Sequence, residues 1–249
     1  MGMRPLEDKI ALVTGAGRGI GHAIARRLAA DGAEVILNYS RAKEGAEALA
    51  AEIVADGGKA WTVMGDVADL ASIAAMFEVV AARTPAFDIL VNNAGRGSNG
   101  QPTLETSTPE IYDDLFALNT RGLFFVTQAA SPLLRDGGAI INMSSMVTRA
   151  RMSGLSVYAG TKAAVEAFTR IWAAELARRQ ITVNSVSPSM VMTDLIRDNM
   201  PPDRIEKIAR AIPLGRVGEP EDIAATVAFL AGPGARWITG QDFPVSGGT

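Results

Sequence analysis

A glycine-rich turn between a short apolar strand and a helix-periodic segment constrains the fold of this chain most. The strand reads Ile10-Ala-Leu-Val13, the turn reads Thr14-Gly-Ala-Gly-Arg-Gly-Ile-Gly21, and an amphipathic helix is predicted from His22 to Asp31. Glycine lets a backbone turn sharply and approach a ligand closely, and the N-terminus of the next helix attracts an anion. This order of elements suits a dinucleotide pyrophosphate, although the spacing Gly15-x-x-x-Gly19-x-Gly21 departs from G-x-G-x-x-G. A glycine-rich turn with no ligand is the alternative.

The remainder of the chain alternates short apolar segments with longer helix-periodic ones. Further strands are predicted at 34–37, 59–64, 87–91, 139–143, 181–186 and near 241–248, and helices at 42–56, 69–83, 109–135, 158–179 and 220–230. Strands that alternate with helices in this way pair in parallel, and the helices cover both faces. We therefore predict an α/β fold, a Rossmann-like doubly wound parallel sheet of about seven strands. Because no linker, repeat or composition shift interrupts the chain, we expect a single domain, 1–249.

Composition excludes several classes of function. The net charge is −3 and Lys and Arg form no run, which argues against a nucleic-acid footprint and against binding to an anionic membrane surface. The chain has no Cys and one His, His22, so thiolate chemistry, a His-based triad and a metal site are not expected. We expect His22 to be solvated or hydrogen-bonded. The polar N-terminal residues and the absence of Cys favour a cytoplasmic protein.

A second constraint lies between Ser145 and Lys162. If Tyr158 begins a helix, Lys162 lies one turn further along the same face, so the phenol and the ammonium are within reach of each other. A nearby cation lowers the pKa of a phenol, about 10 in water, towards the range useful for proton transfer. Ser145 follows the strand at 139–143, where its hydroxyl can face the same cleft and hold a carbonyl oxygen. The spacing of Tyr158 and Lys162 also arises by chance, so it indicates a catalytic site only if a cofactor motif accompanies it.

Five motifs occur together in this chain: Thr14-Gly-x-x-x-Gly-Ile-Gly21, Asn92-Asn-Ala-Gly95, Asn119, Ser145 and Tyr158-x-x-x-Lys162. In order and spacing they resemble the single-domain short-chain dehydrogenase/reductase family over essentially the whole chain. Within it, the chain is similar to the 3-oxoacyl-[acyl-carrier-protein] reductases and the ketoreductases. The resemblance implies an enzyme whose catalytic residues are Asn119, Ser145, Tyr158 and Lys162. It also implies that Asn119 distorts its helix and holds a water on the proton path from the lysine.

The resemblance further implies which residues contact the cofactor. Asp66 would accept a hydrogen bond from the adenine amino group, Val67 would flank the ring, and Lys162 would bind the nicotinamide ribose. The other contacts implied lie in the glycine turn, the Asn motif, the catalytic helix and the loop after the sixth strand: Gly15, Gly19, Ile20, Gly21, Asn93, Ala94, Gly95, Tyr158, Pro188, Val191 and Thr193. Ser189 departs from the glycine that the family usually has after this proline.

The end of the second strand favours NADP(H) over NAD(H). An acidic residue here would bind the adenosine ribose hydroxyls, but the strand is followed by Asn38, Tyr39, Ser40 and Arg41. These neutral groups and Arg41, with Arg18 approaching from the glycine turn, suit the 2′-phosphate of NADP(H). Solvated surface arginines are the alternative, and use of NAD(H) stays open.

Reduction of a ketone or 3-oxo group to a secondary alcohol is the function that these features favour, with Tyr158 as general acid. The alternatives are an NAD-dependent secondary-alcohol or sugar dehydrogenase and, more remotely, a non-catalytic dinucleotide-binding regulator. An apolar, Met-containing stretch at about 190–213 predicts a lid over a small-molecule substrate, and core packing or a subunit contact is the alternative. The substrate would also contact residues 96–99 and 146–155.

Two surface expectations concern partners. Arg149, Arg151, Arg178 and Arg179 could meet an acidic carrier protein or a phosphopantetheine phosphate, or could be solvated. The long apolar helices predicted at 109–135 and 158–179 exceed what one face of a sheet buries. We therefore expect a homotetramer or a dimer that forms through these helices.

Overall fold

The computed structural model of the protein describes residues 4–98 and 100–249, with the backbone but not the side chain of Leu195. Asn99, which the sequence analysis counts among the substrate contacts, and residues 1–3 of the polar N-terminal segment lie outside the described residues. Over the described chain, no helix is both long and apolar enough to cross a membrane.

Seven strands in the described part of the chain form one parallel sheet in the order β3-β2-β1-β4-β5-β6-β7. They are β1 Ile10–Val13, β2 Glu34–Tyr39, β3 Lys59–Met64, β4 Phe87–Asn92, β5 Leu134–Met143, β6 Thr182–Pro188 and β7 Asp242–Val245. The strand order reverses between β1 and β4, and a crevice opens at such a switch point beyond the carboxyl ends of the strands. The predicted doubly wound fold is confirmed.

Helices cover both faces of the sheet. They are α1 Gly19–Ala30, α2 Lys43–Ala55, α3 Leu70–Arg83, α4 Pro109–Phe116, α5 Leu123–Ala130, α6 Ser156–Glu175, α7 Asp194–Asn199, α8 Pro202–Ala211 and α9 Pro220–Ala231. One apolar core packs α1, α2 and α9 against the sheet, and a second packs α3, α5 and α6 against the other face. Strand β1 shows the reason: Val13 belongs to the first core and Leu12 to the second, because successive side chains of a strand point to opposite faces.

The single helix predicted at 109–135 is wrong. Helix α4 ends at Phe116, a π-helical turn covers Ala117–Gly122, and α5 is followed by a 3-10 turn at Ser131–Leu133. Pro132 cannot continue a helix, because it lacks an N–H group and its ring clashes with the preceding turn. The chain then enters β5 at Leu134, five residues before the apolar run at 139–143. Its polar beginning is held by an ion pair of 2.6 Å between Arg135 Nη1 and Asp88 Oδ2.

Candidate active site

The glycine turn after β1 forms a cradle of bare backbone. Gly15 and Gly19 have φ values of 64° and 57°, in the left-handed region that favours glycine. A Cβ atom on Gly15 would lie 3.1 Å from Ala94 Cα, so a side chain would fill the space between the turn and the Asn motif. Arg18, the N-cap residue of α1, makes no side-chain capping hydrogen bond. The turn therefore presents backbone and a helix N-terminus to the crevice.

Thr14 joins this turn to the Asn motif. Its hydroxyl oxygen accepts hydrogen bonds from the backbone N–H groups of Asn93 at 2.9 Å and Ala94 at 3.0 Å. In the other direction, the Asn93 side chain donates hydrogen bonds to the carbonyl oxygens of Thr14 at 2.9 Å and Gly15 at 3.2 Å. Two motifs nearly 80 residues apart in sequence thus form one wall. This role of Thr14 was not predicted. The hydroxyl at the end of a buried strand is the sequence feature that indicates it.

Asn38 does not lie where the sequence analysis placed it. Strand β2 continues to Tyr39, so Asn38 is inside the sheet and 1% exposed. Its Oδ1 accepts from Gly15 N at 3.2 Å, and its Nδ2 donates to Gly65 O at 3.0 Å. With its polar atoms used in this way, Asn38 shapes the glycine turn from behind and is not free to meet a 2′-phosphate. Tyr39 is partly exposed and Ser40 is exposed.

Two arginines flank the point where the glycine turn packs against the start of α2. A Cβ atom on Gly17 would lie 2.4 Å from Ala42 O, and one on Gly45 would lie 2.1 Å from Gly17 O, so these backbones are in direct contact. Arg18 follows Gly17 and Arg41 precedes Ala42, which brings both exposed arginines to one edge. Neither has an ion-pair partner among the described residues. Gly17 and Gly45 are a pair that the sequence analysis did not single out, although a glycine inside a helix is an available signal.

Asp66 and Val67 lie at the end of β3, beside the same crevice. The Asp66 carboxylate accepts from Ala68 N at 3.0 Å, and Asp66 N donates to Ser72 Oγ at 2.8 Å. One carboxylate oxygen therefore holds the turn, and the residue stays partly exposed. Val67 is buried, and its carbonyl oxygen would lie 2.1 Å from a Cβ atom on Gly122, which is in the π-helical turn.

Ser145, Tyr158 and Lys162 come together at the carboxyl end of β5. Tyr158 and Lys162 lie one turn apart on α6, and Lys162 Nζ is 5.9 Å from the centroid of the Tyr158 ring. Lys162 is 4% exposed, and its Nζ donates to Met143 O at 2.8 Å. The Ser145 side chain lies close enough to the Tyr158 phenol to act on its pKa. The predicted grouping of these three residues matches their arrangement in the structure.

The hydroxyl of the neighbouring Ser144 is hydrogen-bonded to protein groups outside the crevice. It is 4% exposed, and its Oγ donates to Glu166 Oε1 at 2.9 Å and lies 3.3 Å from Lys162 O. Ser145 is partly exposed and caps the 3-10 turn Met146–Thr148, accepting from Val147 N at 3.3 Å. Ser145 is therefore the hydroxyl that can reach a substrate.

Burial sets the charges of the site. It raises the pKa of the Tyr158 phenol above its ordinary value, while the Ser145 side chain acts in the opposite direction. Burial also lowers the pKa of Lys162 from its ordinary value of 10.5 to about 8. The net shift of the Tyr158 pKa is therefore opposite to the lowering predicted from the nearby Lys162, because the loss of water around the phenol is the largest influence on it.

Asn119 lies in the π-helical turn and is fully buried. Its Oδ1 accepts from Arg96 N at 3.0 Å, and its Nδ2 donates to Arg96 O at 2.9 Å and Thr161 Oγ1 at 3.2 Å. The predicted helix distortion at this residue is present in the structure. Both side-chain N–H groups have protein partners, so the side chain fixes the chain beside Gly95, and its contact with a water stays a prediction.

Comparisons with known proteins identify the family of the chain. A family model described as enoyl-(acyl carrier protein) reductase matches residues 15–249. A short-chain dehydrogenase/reductase from Serratia marcescens has a TM-score of 0.92 and 37% identity to this chain, with 98% of each chain covered. The chain belongs to the short-chain dehydrogenase/reductase family. It is thus an oxidoreductase.

Two further members of the short-chain dehydrogenase/reductase family are similar to this chain. The structure of the angucycline C-6 ketoreductase LanV with bound NADP has a TM-score of 0.92 and 39% identity, and the match covers 98% of this chain and 96% of that one. A hydroxynaphthalene reductase-like protein of Metarhizium brunneum is 41% identical over 261 residues, covering 99% of this chain and 96% of its own.

The segment at 190–213 of this short-chain dehydrogenase/reductase, for which a lid was predicted, begins next to the glycine turn. Thr193 Cγ2 would lie 3.4 Å from a Cβ atom on Gly19, and Met192 N donates to Gly218 O at 2.7 Å. Pro188 ends β6, Val191 is 6% exposed, and helices α7 and α8 form the predicted loop-and-helix segment at 190–213. A cleft of about 350 Å³ lies between the turn and α7.

Several side chains outside the crevice bear on the predictions for a carrier protein, His22 and a metal ion. Arg149 pairs with Asp242 at 2.8 Å and Arg179 with Asp136 at 2.8 Å, so two of the four arginines proposed for an acidic carrier already have carboxylate partners. His22 is partly buried and lines the cleft beside the glycine turn, where burial and Arg26 lower its pKa. The described residues contain no cluster of three or more His, Asp or Glu that suits a metal ion.

Proposed function

We propose that the protein is an NADP(H)-dependent reductase that converts a ketone or 3-oxo group to a secondary alcohol. The observation that carries the proposal is the grouping of Ser145, Tyr158 and Lys162 at the strand end that faces the glycine turn. A screen of purified protein over ketones, 3-oxoesters, sugars and secondary alcohols, with both nicotinamide cofactors, tests it. We expect turnover with a ketone or a 3-oxo compound.

The residues of the crevice fit a dinucleotide. The cradle at Gly15 is one that a Cβ atom would fill, and the N-terminus of α1 has no side-chain cap. We assign the pyrophosphate to this turn. The residues assigned to the rest of the cofactor are Arg18, Gly19, Ile20, Gly21, Tyr39, Ser40, Arg41, Asp66, Val67, Asn93, Ala94, Gly95, Tyr158, Lys162, Pro188, Val191 and Thr193. Asn38 supports the turn without touching the ligand.

NADPH, when bound, supplies the hydride that reduces the carbonyl carbon. The protein binds and polarises the carbonyl oxygen through the hydroxyls of Ser145 and Tyr158. Because burial raises the pKa of Tyr158, the phenol is protonated at neutral pH and can donate its proton to the developing alkoxide. Lys162, with a pKa of about 8, is suited to return a proton to the phenol. Asn119 holds the backbone of residue 96 in place.

The two unpaired arginines support the choice of NADP(H). A guanidinium forms bidentate, charge-assisted hydrogen bonds to a phosphate, and in the described part of the chain neither Arg18 nor Arg41 forms an ion pair with a carboxylate. NADP is also the ligand in the structure of the ketoreductase LanV. The 2′-phosphate of this chain's cofactor would lie between the two side chains.

Arg41→Ala is expected to weaken NADPH binding by about 10- to 100-fold, because charge-assisted hydrogen bonds contribute about 1.5–3 kcal/mol each. NADH binding should change by less than about threefold, since NADH has no 2′-phosphate. Fluorescence titration of both cofactors gives the two dissociation constants. Lys43→Ala is the matched control, because Lys43 lies two residues away and pairs with Glu47 at 3.7 Å. Equal losses for NADPH and NADH would contradict the assignment.

An apolar pocket beside α6 supports a ketone with a bulky apolar body. The pocket has a volume of about 360 Å³ and includes Val147, Met152, Leu155, Ala159 and Leu104 among its lining residues. Met152 is 61% exposed and Leu104 is 86% exposed, so both are available to a ligand. The name of the hydroxynaphthalene reductase-like relative indicates a ring-bearing substrate for that protein. We therefore propose that ring-bearing ketones are among the substrates of this one.

A dimeric or tetrameric assembly and a cytoplasmic location stay predictions. On the face formed by α5 and α6, the partly buried Phe124 and Phe168 are in contact and pack against the buried Trp172, and Ile171 beside it is 58% exposed. Such a face favours a helical subunit contact. Light scattering on the purified protein measures the mass in solution.

A further inference from the structure

The carboxylate of Asp242 is enclosed at the start of the edge strand β7. Its Oδ1 accepts from Ser185 Oγ at 2.7 Å and from Ser187 Oγ at 2.8 Å, and its Oδ2 accepts from Arg149 Nη2 at 2.8 Å. Both serines are fully buried, and they share one face of β6 because they are two residues apart. The Asp242 side chain is 12% exposed. The two serines thus hold the Asp242 carboxylate in place, with one oxygen directed at the Arg149 guanidinium.

Arg149 is the end of a short rigid segment that begins at Ser145. The segment is one 3-10 turn, in which Arg149 N donates to Met146 O at 3.0 Å and Thr148 Oγ1 donates to Ser145 O at 3.1 Å. Ser145 itself caps the turn through Val147 N. A displacement of Arg149 is therefore transmitted to Ser145, because the intervening residues are bonded to one another.

Both ends of this segment are fixed to the edge of the sheet. Ser144 N donates to Val186 O at 2.8 Å at one end, and the Arg149 guanidinium reaches over β6 to Asp242 on β7 at the other. From Arg149 onward the chain is exposed, through Ala150, Arg151 and Met152. The ion pair is thus the last attachment of the segment before the exposed loop that borders the apolar pocket.

We propose that Arg149 and Asp242 are positioning residues that hold the hydroxyl of Ser145 against Tyr158. The inference rests on the proposed function in that Ser145 binds the carbonyl oxygen. The ion pair is not needed to hold Asp242 in place. Asp242 keeps two serine donors without Arg149, and the Arg149 side chain is 49% exposed, so we expect the protein to fold without the ion pair. Its contribution is to the geometry of the site.

Arg149→Met is the variant that tests this role, and fluorine NMR of protein labelled with 3-fluorotyrosine is the readout. The chain has three Tyr, and Tyr158→Phe identifies the resonance of residue 158. Ser145→Ala gives the resonance position without the hydroxyl. We expect Arg149→Met to move the resonance towards that position, and Arg149→Lys, which keeps the charge, to restore it. Arg27→Met is the control, because Arg27 is 46% exposed and pairs with Asp31 at 2.9 Å, away from the site.

In turnover, Arg149→Met should lower kcat for carbonyl reduction by about tenfold, as expected for a misplaced catalytic group, with the Kd for NADPH unchanged. A Tyr158 resonance that stays at the wild-type position in Arg149→Met overturns the inference. If that variant does not fold, the Tyr158 resonance is measured in Arg149→Gln instead. A shifted resonance in a protein whose wild type reduces no carbonyl supports the positioning role and contradicts the proposed function, so the two failures are distinguishable.

Discussion

Replacing Tyr158 by Phe is expected to lower kcat for carbonyl reduction by about a thousandfold, within the range that a general acid contributes. The variant keeps the ring but removes the proton that the phenol donates to the alkoxide. It also removes one of the two hydroxyls that polarise the carbonyl. The glycine turn is held by Thr14, Asn38 and Asn93, so the loss of the Tyr158 hydroxyl leaves it intact. Steady-state kinetics with NADPH and a ketone, paired with a fluorescence titration of NADPH, separates the two effects.

Tyr112→Phe is the control for this substitution. Tyr112 is 48% exposed and stacks on Phe116 with ring centroids 4.3 Å apart, at a place where a lost hydroxyl should not affect turnover. The dissociation constant for NADPH should change by less than about threefold in both variants. Turnover of Tyr158→Phe within about tenfold of wild type would contradict the role of Tyr158 as the proton donor.

Replacing Lys162 by Met is expected to stabilise the cofactor-free protein at pH 7. Lys162 is 4% exposed, and burial lowers its pKa from 10.5 to about 8, which means that folding the charged form is unfavourable. Methionine has a similar length and no charge to desolvate. The free energy of unfolding should rise by up to about 3 kcal/mol, the equivalent of the pKa shift. Urea unfolding at pH 7 measures the difference.

The pH dependence of stability distinguishes this cause from better packing. Below pH 8 the ammonium is protonated in the folded and unfolded states, and the destabilisation is fully present. Between pH 8 and 10.5 the folded protein loses a proton that the unfolded chain keeps, so the wild type gains stability as the pH rises. Lys162→Met should lack this gain, and Lys59→Met, at an exposed position, should keep it. A constant difference between wild type and Lys162→Met across this range would refute the explanation.

The sequence predicts the sheet well because its central strands, β1, β4 and β6 among them, are buried on both faces. The run Ile10–Val13 is apolar at nearly every position, and such runs bounded by glycine or Asn are typical of parallel strands. The beginning of β5 could not be predicted in this way. Residues from Leu134 to Gly138 include Arg135 and Asp136 and are irregular, with a φ of 75° at Gly137, and they are joined to β4 through the pairing of Leu134 with Phe87 and the contact of Arg135 with Asp88. That partner is distant in sequence.

The site residues were found from spacing, but their environments were not. The interval between Tyr158 and Lys162 places both on one helix face, which follows from helix geometry alone. The direction of the Tyr158 pKa shift depends on how much water the surrounding elements remove, and no local pattern reports this. Asn38 shows the same limit, because the two extra residues of β2 turn its side chain into the sheet.

The most direct test of the central claim is a comparison of kcat/KM in the two directions. NADPH with the best ketone from the substrate screen is compared with NAD⁺ and the corresponding alcohol, on wild-type protein near pH 7. The proposed function predicts that reduction with NADPH exceeds oxidation with NAD⁺ by at least about tenfold, since Arg18 and Arg41 favour the 2′-phosphate and the Tyr158 phenol is protonated. Faster oxidation with NAD⁺, or tight NADPH binding with no turnover of any carbonyl compound, would contradict it.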